Sequence, residues 1–251
     1  MDTQLKALMI QPGAYGDIFV CAPIAKWYAD RGYEVHWPVR KQFISTLVRF
    51  PYVTPILLPE RTLDADWLRS DVMQILPMVD EYDMVINLAD RGPHPTAQRP
   101  GENFEQCKYR MAGVPIEEKY KLSYNKDMQK EMRLFQERVA NVFQDPYVSY
   151  AVAHREDSHG TKAEMPKIWL PVVDIVPVEG YDIVDWGLVI ACASEVYCVE
   201  SGVHQFMDGI GTAVPNRKYL LRRESVPENC KYTLSPTWHT EYMGINVKTI
   251  G

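Results

Sequence analysis

The sequence has few cysteines, and their positions exclude the usual cysteine-based sites. Only five of its 251 residues are cysteine, and none of them lies at the short paired spacings of a zinc site or a redox motif. An odd number of scattered cysteines indicates reduced thiols, most of them buried. The five are Cys21, Cys107, Cys192, Cys198 and Cys230.

Long apolar runs and an excess of positive charge are also lacking. No window approaches the roughly 18 uninterrupted apolar residues of a membrane-spanning helix, and the chain opens on Met-Asp-Thr-Gln rather than on a basic and then apolar leader. We therefore expect a cytoplasmic protein without membrane insertion. Lys and Arg number 27 against 33 Asp and Glu, a net charge of −6, which excludes a strongly basic nucleic-acid-binding domain but permits local basic patches.

The first half of the chain alternates between strand and helix patterns. An apolar run over 5–10 stops at a turn over 11–16, and apolar residues at helical spacing follow as far as Gly32. Strands that alternate with helices indicate a parallel sheet covered by helices. The further elements predicted in this half are a strand over 34–39, a helix over 41–49, and strands over 53–57 and 82–88.

The same alternation restarts in the second half, after a helix predicted over 126–143. The apolar residues of that helix, three or four positions apart, are Met128, Met132, Phe135, Val139 and Val142. The elements predicted beyond it are strands over 147–153, 172–176 and 195–199, a helix over 181–193, and a helix from Ser201 to Gly209 or Gly211.

Two halves that each begin with a strand predict an α/β protein of two Rossmann-like domains. We place the domains at 1–145 and 146–235, with a tail over 236–251 that returns to the first domain. Their mostly parallel sheets are expected to face an interdomain cleft, with ligands held at the carboxyl ends of the strands.

The turn Gly13-Ala14-Tyr15-Gly16-Asp17 lies between the first strand and the first helix, where doubly wound sheets bind ligands. Gly13 and Gly16 permit a close backbone approach, and the start of the helix offers amide groups. Asp17 is then either an acid of the first helical turn stabilised by the helix dipole or, at the mouth of a cleft, a general base.

The glycine pattern of this turn falls short of a nucleotide-binding fingerprint. A dinucleotide motif needs a third glycine, and Phe19 stands at that position. Glu34 lies at about the distance of a ribose-binding acid, so an NAD site stays open as an alternative. A P-loop is absent from the sequence, because no glycine is followed by Lys-Ser or Lys-Thr.

A second candidate segment covers residues 195–204, in which an apolar strand ends in Glu200-Ser201-Gly202 at the start of a helix. Amides, a hydroxyl and the helix dipole converge at such a point and can hold a diphosphate or a ribose. The simpler interpretation is a capped helix whose His204 packs locally. Lys162, in the polar loop after the first strand of this half, can neutralise a departing phosphate, although lone loop lysines are mostly solvated.

These features together resemble glycosyltransferase family nine, the ADP-heptose:lipopolysaccharide heptosyltransferases, and their GT-B relatives. The resemblance rests on Gly-x-x-Gly-Asp after the first strand, Pro23 six residues later, and acid-Ser-Gly-x-His before Gly-x-Gly. It implies two Rossmann-like domains and an inverting sugar transfer from a nucleotide sugar, without a metal or another cofactor.

The resemblance also implies roles for single residues. Asp17 matches the acid that serves as base for the acceptor hydroxyl, and Lys162 matches the lysine that meets the donor phosphates, with Lys167 as its competitor. Two departures concern the last motif, since Glu replaces the usual Asp and His204 follows the glycine by two residues instead of three. The expected donor contacts are Gly13, Gly16, Lys162, Glu200, Ser201, Gly202 and His204.

Two basic clusters are candidates for acceptor binding, against the simpler interpretation of solvated surface charge. One surrounds the proline-rich loop over 89–101, and the other lies within 217–223. Phosphate contacts need only a local patch, so the acceptor can be a glycan, a small molecule or a hydroxymethylated base in DNA. The expected acceptor contacts are Arg91, His94 and Arg99, with Lys108 and Arg110 near them; the second cluster is Arg217, Lys218, Arg222 and Arg223.

The leading hypothesis is therefore an inverting, metal-independent glycosyltransferase that uses a nucleotide-sugar donor. Two alternatives stay open at this point. One is an NAD-dependent Rossmann oxidoreductase or epimerase that uses the first domain. The other is a non-catalytic GT-B module that binds a sugar nucleotide or a protein.

Overall fold

The structure, a computed structural model, describes residues 4–59, 67–89, 99–156, 162, 165–210 and 218–221, with 67–69 and 218–221 described by their backbone alone. The contacts divide the chain into two compact units, of which the first ends at Asn125 and the second begins at Lys126. Within the described ranges, no helix has the length and apolarity needed to cross a membrane.

The first unit is built on a sheet of four parallel strands in the order β3-β2-β1-β4. Its central strand β1 is buried from Ala7 to Ile10, as expected for a parallel strand covered on both faces. The strands are β1 (Lys6–Ile10), β2 (Glu34–Val39), β3 (Val53–Leu57) and β4 (Met84–Asn87). All four match strands predicted from the sequence.

Helices of the first unit follow the strands in the expected alternation. The segment predicted as a helix over 41–49 is a 3-10 turn, Lys41–Phe43, that continues into one short α-helical turn. The α-helices are α1 (Tyr15–Ala29), α2 (Ile44–Leu47), α3 (Trp67–Ile75) and α4 (Phe104–Met111), and further 3-10 segments lie at Leu76–Glu81 and Ile116–Tyr120. Every residue from Ile18 to Ala25 of α1 is buried, so this helix lies in the core and is apolar on more than one face.

The second unit repeats the plan with a sheet in the order β6-β5-β7-β8, again with parallel pairs. The first of its strands starts at Ala151, later than the predicted start at Tyr147, because Tyr147 lies exposed in a turn after the preceding helix. The strands are β5 (Ala151–His154), β6 (Val172–Asp174), β7 (Glu195–Val199) and β8 (Lys218–Leu221).

The helix predicted over 126–143 is present, but some of the apolar residues predicted to form its buried face are exposed. It consists of α5 (Met128–Phe135), a π-helical stretch (Gln136–Ala140) and α6 (Asn141–Phe143). Met128, Met132 and Val142 are exposed, whereas Leu134 and Val139 are fully buried. Met128 and Met132 are exposed because the buried residues of α5 are Glu131 and Leu134. The π-helical stretch changes the angle between successive turns only after Phe135.

The remaining helical segments of the second unit are a 3-10 turn (Ile183–Trp186), α7 (Gly187–Ala191) and α8 (Gly202–Gly209). α5 packs against α7 and against the 3-10 turn, and Lys130 of α5 donates to the buried Asp185 at 2.7 Å. These contacts make the helix part of the second unit. The division therefore falls before this helix, whereas the sequence places it after, at residue 145. The predicted tail over 236–251 lies outside the described residues.

The strand orders locate a switch point in each sheet. In the first, the chain runs from β1 outward to β2 and β3 and then returns to the other side of β1 as β4; in the second, it runs from β5 to β6 and returns beside β5 as β7. The switch point of the first sheet therefore lies at the carboxyl ends of β1 and β4, and that of the second sheet lies at the carboxyl ends of β5 and β7. Ligands of open parallel sheets bind in the crevices at such points.

Candidate active site

Asp17 lies at the switch point of the first sheet. β1 ends at Ile10, the chain turns through residues 11–14, and Asp17 follows in the first turn of α1. A Cβ atom at Gly13 would lie 2.3 Å from Asp17 Oδ2 and 2.6 Å from Gln11 Nε2. A residue with a Cβ atom would fit there only if the side chains of Asp17 and Gln11 moved, because they occupy that space. Gly16 lies in the same first helical turn.

Lys108 of α4 is the immediate partner of Asp17. Its Nζ donates to Asp17 Oδ1 at 2.9 Å, to Gln11 Oε1 at 2.7 Å and to the carbonyl oxygen of Leu88 at 3.3 Å. The side chain of Lys108 is 12% exposed and that of Asp17 is 22% exposed. The ion pair is thus partly shielded, but the carboxylate remains accessible. From the sequence, Lys108 belongs to a basic cluster that was a candidate for acceptor binding beside Asp17; the ion pair between the two residues was not predicted.

α4 is fixed in place by several polar contacts. Its start carries a capping box, in which the side chains of Asn103 and Gln106 each accept from the other's backbone amide. Tyr109 Oη donates to the Val20 carbonyl at 2.9 Å, and buried Glu105 accepts from Lys119 at 2.9 Å. This helix was not predicted from the sequence, although Asn103 followed three residues later by Gln106 is a recognisable capping signal.

Cys21 lies in the same helix as Asp17 but does not take part in the chemistry of the site. Burial raises the pKa of its thiol to about 12. The thiol therefore stays protonated and cannot act as a nucleophile near neutral pH.

Ser201 and His154 meet at the switch point of the second sheet. His154 ends β5, Ser201 follows β7, and Ser201 Oγ lies 3.2 Å from His154 Nδ1. Cys198 Sγ is 3.9 Å from the same ring nitrogen. The sequence treated His154 as the first residue of a loop and gave it no role; the hydrogen bond to Ser201 depends on strand pairing that the sequence does not display.

Ser201 also caps α8, as the simpler interpretation proposed. Its side chain accepts from the backbone amide of His204 at 3.5 Å, and Gly202 is the first helical residue. Glu200, Ser201 and His204 are buried, and His204 Nδ1 lies 3.2 Å from Gln205 Nε2. The predicted motif is therefore assembled at the start of a helix, where backbone amides favour anions.

The structure places the two candidate phosphate-binding lysines differently. Lys162 pairs with Glu156 through an isolated antiparallel bridge and a 3.6 Å ion pair, and 65% of its side chain is exposed. Lys167 lies in the crossover between β5 and β6, with Nζ 3.8 Å from the centre of the Trp169 ring. Neither lysine contacts Ser201 or His154 among the described interactions.

Of the predicted acceptor residues, Arg91 and His94 lie outside the described residues. Arg99 lines an open cavity of about 430 Å³ together with Glu102, Tyr109 and Arg110. Arg110 lies two positions from Lys108 on α4, about 200° around the helix. The cavity therefore opens on a face of α4 different from the one that carries the Asp17–Lys108 pair.

Two observations remove the support for a dinucleotide site in the first unit. Glu34 is the first residue of β2, pairs with Lys6 at the start of β1 and contacts His36 at 2.9 Å. It thus lies at the amino end of the sheet, opposite the edge where a ribose would bind. Phe19, at the position of the third glycine, is buried and packs edge-to-face on Phe50.

Within the described ranges, no three His, Cys, Asp or Glu side chains are grouped as a metal site would require. The groups that the second switch point offers to a phosphate are the amides at the start of α8, the Ser201 hydroxyl and the His154 imidazole.

The architecture is of a class that solved glycosyltransferases share. A glycosyl transferase of family 9 from Veillonella parvula DSM 2008 superposes with a TM-score of 0.61 at 10% identity, over 95% of this chain and 86% of its own. ADP-heptose LPS heptosyltransferase II of E. coli gives 0.50 at 14% identity, over 94% and 90%. The iron-containing dodecameric glycosyltransferase TibC of enterotoxigenic E. coli H10407 gives 0.53 at 12% identity, over 94% and 62%.

Comparison by sequence adds no relative, since neither a family model nor a curated protein matches the chain. At such low identities the structural likeness shows the fold. It confirms the predicted α/β class with parallel sheets, and at that level it confirms the resemblance to glycosyltransferase family nine and the GT-B group.

Proposed function

We propose that this chain is a glycosyltransferase that moves a sugar from a nucleotide-sugar donor to an acceptor hydroxyl. The observation that carries the proposal is an accessible carboxylate, Asp17, held by a lysine at the switch point of a fold that solved glycosyltransferases share. The similar structures include a family 9 glycosyl transferase and ADP-heptose LPS heptosyltransferase II of E. coli. Their activities support the same class of reaction here.

The reaction assigned to Asp17 is general base catalysis of an inverting displacement. Lys108 contacts Oδ1, which leaves Oδ2 to accept the proton of the acceptor hydroxyl. The acceptor oxygen then bonds to the anomeric carbon while the bond from that carbon to the diphosphate breaks. A single in-line displacement inverts the configuration at the anomeric carbon.

The donor is assigned to the second unit. The amide groups at the start of α8 and the Ser201 hydroxyl can hold the diphosphate, with Glu200, Gly202 and His204 of the same motif toward the nucleotide. His154 adds a ring nitrogen at the same point. Lys162, exposed and paired only loosely with Glu156, is the cation that can compensate the charge of the leaving diphosphate. This set needs neither a metal nor another cofactor.

The acceptor hydroxyl belongs to a glycan, a small molecule or a hydroxymethylated base in DNA. Arg91, His94 and Arg99 stay the proposed acceptor contacts, since a phosphorylated acceptor would require local positive charge. A gel-shift titration at low salt tests the nucleic-acid form, because absence of affinity for DNA under those conditions excludes it.

The direct test of the proposed function is the variant Asp17→Asn, assayed with a panel of nucleotide sugars. We expect the turnover number to fall about 10²- to 10⁴-fold, the usual contribution of a general base. Binding of the donor, measured as the thermal shift produced by the nucleoside diphosphate, should stay within about twofold of wild type because the donor is bound by the second unit.

The matched control is Asp30→Asn, which removes an exposed carboxylate of the same unit that pairs with Lys26 at 2.6 Å. This variant should turn over like the wild type. Undiminished transfer by Asp17→Asn would contradict the assignment of the base, and a wild-type protein that no nucleotide sugar or nucleoside diphosphate stabilises would contradict the class of reaction.

A further inference from the structure

The described part of the chain gives the Lys108 ammonium three oxygen acceptors, one for each of its hydrogens. The three acceptors are Gln11 Oε1 at 2.7 Å, Asp17 Oδ1 at 2.9 Å and the Leu88 carbonyl at 3.3 Å. A lysine ammonium has three donors and no acceptor. Each N–H therefore has a protein partner, and none remains to bind a substrate.

Two of these acceptors are fixed independently of Asp17. Gln11 directly follows β1, and Leu88 directly follows β4, the strand paired with β1; the Leu88 amide donates to the Ile10 carbonyl at 2.9 Å. The Lys108 ammonium is thereby attached to the carboxyl ends of both strands at the switch point. Because the same ammonium also bonds to Asp17, the Asp17 side chain in the first turn of α1 is fixed relative to the ends of these two strands.

Gly13 limits the other side of the carboxylate. Asp17 Oδ2 lies so close to Gly13 that a Cβ atom there would be only 2.3 Å away. The carboxylate is therefore held between the Lys108 ammonium on Oδ1 and the backbone at Gly13 beside Oδ2. Rotation of the side chain would cost the charge-assisted hydrogen bond, which is about twice as strong as a neutral one.

We propose that Lys108 is a positioning residue of the transfer reaction, which aims Asp17 Oδ2 at the acceptor hydroxyl. This inference rests on the proposed function. The proton passes from the acceptor hydroxyl to Oδ2, the acceptor oxygen bonds to the anomeric carbon, and the diphosphate leaves. Lys108 keeps all three of its protons throughout and contacts neither the acceptor nor the donor.

The test compares Lys108→Met with wild type in steady-state transfer and in a crystal structure. Methionine keeps much of the length of the side chain but makes no bond to Asp17. We expect kcat to fall about 10- to 100-fold, the effect of a misplacement of about 1 Å at a reacting group, with the donor KM within about twofold. In the crystal structure, Asp17 should adopt a different rotamer.

Two further variants separate positioning from charge and from general stability. Lys108→Arg keeps the charge, but its planar group cannot reproduce contacts to three oxygens around one nitrogen, so only part of the lost kcat should return. Lys121→Met removes another ion-paired lysine of the first unit, bonded to Glu118 at 2.7 Å and largely exposed, and should keep wild-type kinetics. If Lys108→Met does not fold, Gln11→Met removes one anchor of Nζ and should lower kcat by a smaller factor with unchanged donor KM.

The outcomes distinguish this inference from the proposed function. Wild-type kcat in a folded Lys108→Met protein, with Asp17 in its original rotamer, would overturn the positioning role while leaving the glycosyltransferase proposal intact. An equal rise in donor KM would also overturn it, because it would mean that Lys108 binds substrate. If the wild type transfers no sugar, the proposed function fails, and a displaced Asp17 in the Lys108→Met structure would still show that Lys108 orients the carboxylate.

Discussion

At the scale of residues, Gly13 and Asp17 show a structural role for a motif glycine that the sequence alone does not display. The motif predicts a glycine that lets a ligand approach the backbone. In the structure, the space beside Gly13 is occupied by the side chains of Asp17 and Gln11. The glycine is needed to seat the carboxylate, so the motif encodes the position of the proposed base. Replacement of Gly13 by a residue with a Cβ atom would therefore displace the Asp17 side chain.

Glu102 provides a pH-dependent test at the same scale. Two hydrogen bonds from the Arg110 guanidinium, at 2.8 and 3.0 Å, lower the pKa of Glu102 from 4.5 to about 2. A carboxyl whose pKa is lower in the folded state stabilises the fold above its unfolded pKa and loses that contribution as the pH falls through the folded pKa. The contribution of Glu102 should thus be complete above about pH 4.5 and disappear toward pH 2.

We expect the Glu102→Gln variant to have a lower thermal midpoint than the wild type near neutral pH. The difference between the two midpoints should disappear as the pH falls from about 4.5 to 2. Thermal unfolding followed by circular dichroism at a series of pH values measures the difference between the two proteins. A difference that stays constant over this range would show that the ion pair with Arg110 does not depress the pKa of Glu102.

At the scale of elements, local patterns predicted the strands better than the helices. β7 was predicted with the bounds that the structure shows, Glu195–Val199, because an apolar run between polar neighbours is visible without any tertiary information. α4 was missed, since its buried face includes Glu105, and Lys119 of the neighbouring 3-10 segment is buried with it. Because a charged pair lies in the core here, the sequence of α4 lacks the regular apolar face from which a helix is predicted.

The buried Glu105–Lys119 pair is the basis of a prediction about α4. Glu105→Gln removes the carboxylate that pairs with the buried Lys119 ammonium, and we expect the free energy of unfolding to fall by about 3–5 kcal/mol. The double variant Glu105→Met with Lys119→Met should recover most of this loss, because an apolar pair of similar volume replaces both charges. Urea denaturation measures both values.

The control for this prediction is Glu118→Gln, which breaks the more exposed pair with Lys121. Its expected cost is about 1 kcal/mol or less. If Glu105→Gln cost no more than this control, the buried pair would not be what anchors α4. The capping box and the Tyr109 hydrogen bond would then have to hold α4, and with it Lys108, in place.

At the scale of the whole molecule, the two units are built on the same principle. Each has four parallel strands and a switch point beside its first strand, and each places candidate residues at the carboxyl ends there. The repetition divides the proposed chemistry between a carboxylate in the first unit and a helix start in the second. Asp17 and Lys108 lie at the first of these points, and Ser201 and His154 lie at the second.

Cysteine accessibility tests the burial pattern across both units. Cys21, Cys107 and Cys198 are buried thiols, while Cys192 is exposed; burial also raises the pKa of Cys21 and Cys198. Brief treatment of the native protein with iodoacetamide, followed by mass spectrometry of its peptides, should show Cys192 modified well before these three. After denaturation all should react alike. Modification of Cys21 or Cys198 at the rate of Cys192 would contradict the packing of α1 or β7.

The sequence by itself determined the strand-turn-helix units, the position of Asp17 in the first helical turn, and Ser201 as the cap of α8. These features arise from residues close together in the chain, whose spacing shows which face is buried and where a helix begins. The tertiary structure decided which distant residues complete each site. Lys108 reaches Asp17 across 91 positions and His154 reaches Ser201 across 47, and Glu34 falls at the wrong end of its strand for a ribose. Strand order and register set these relations, because they decide which strand ends lie side by side.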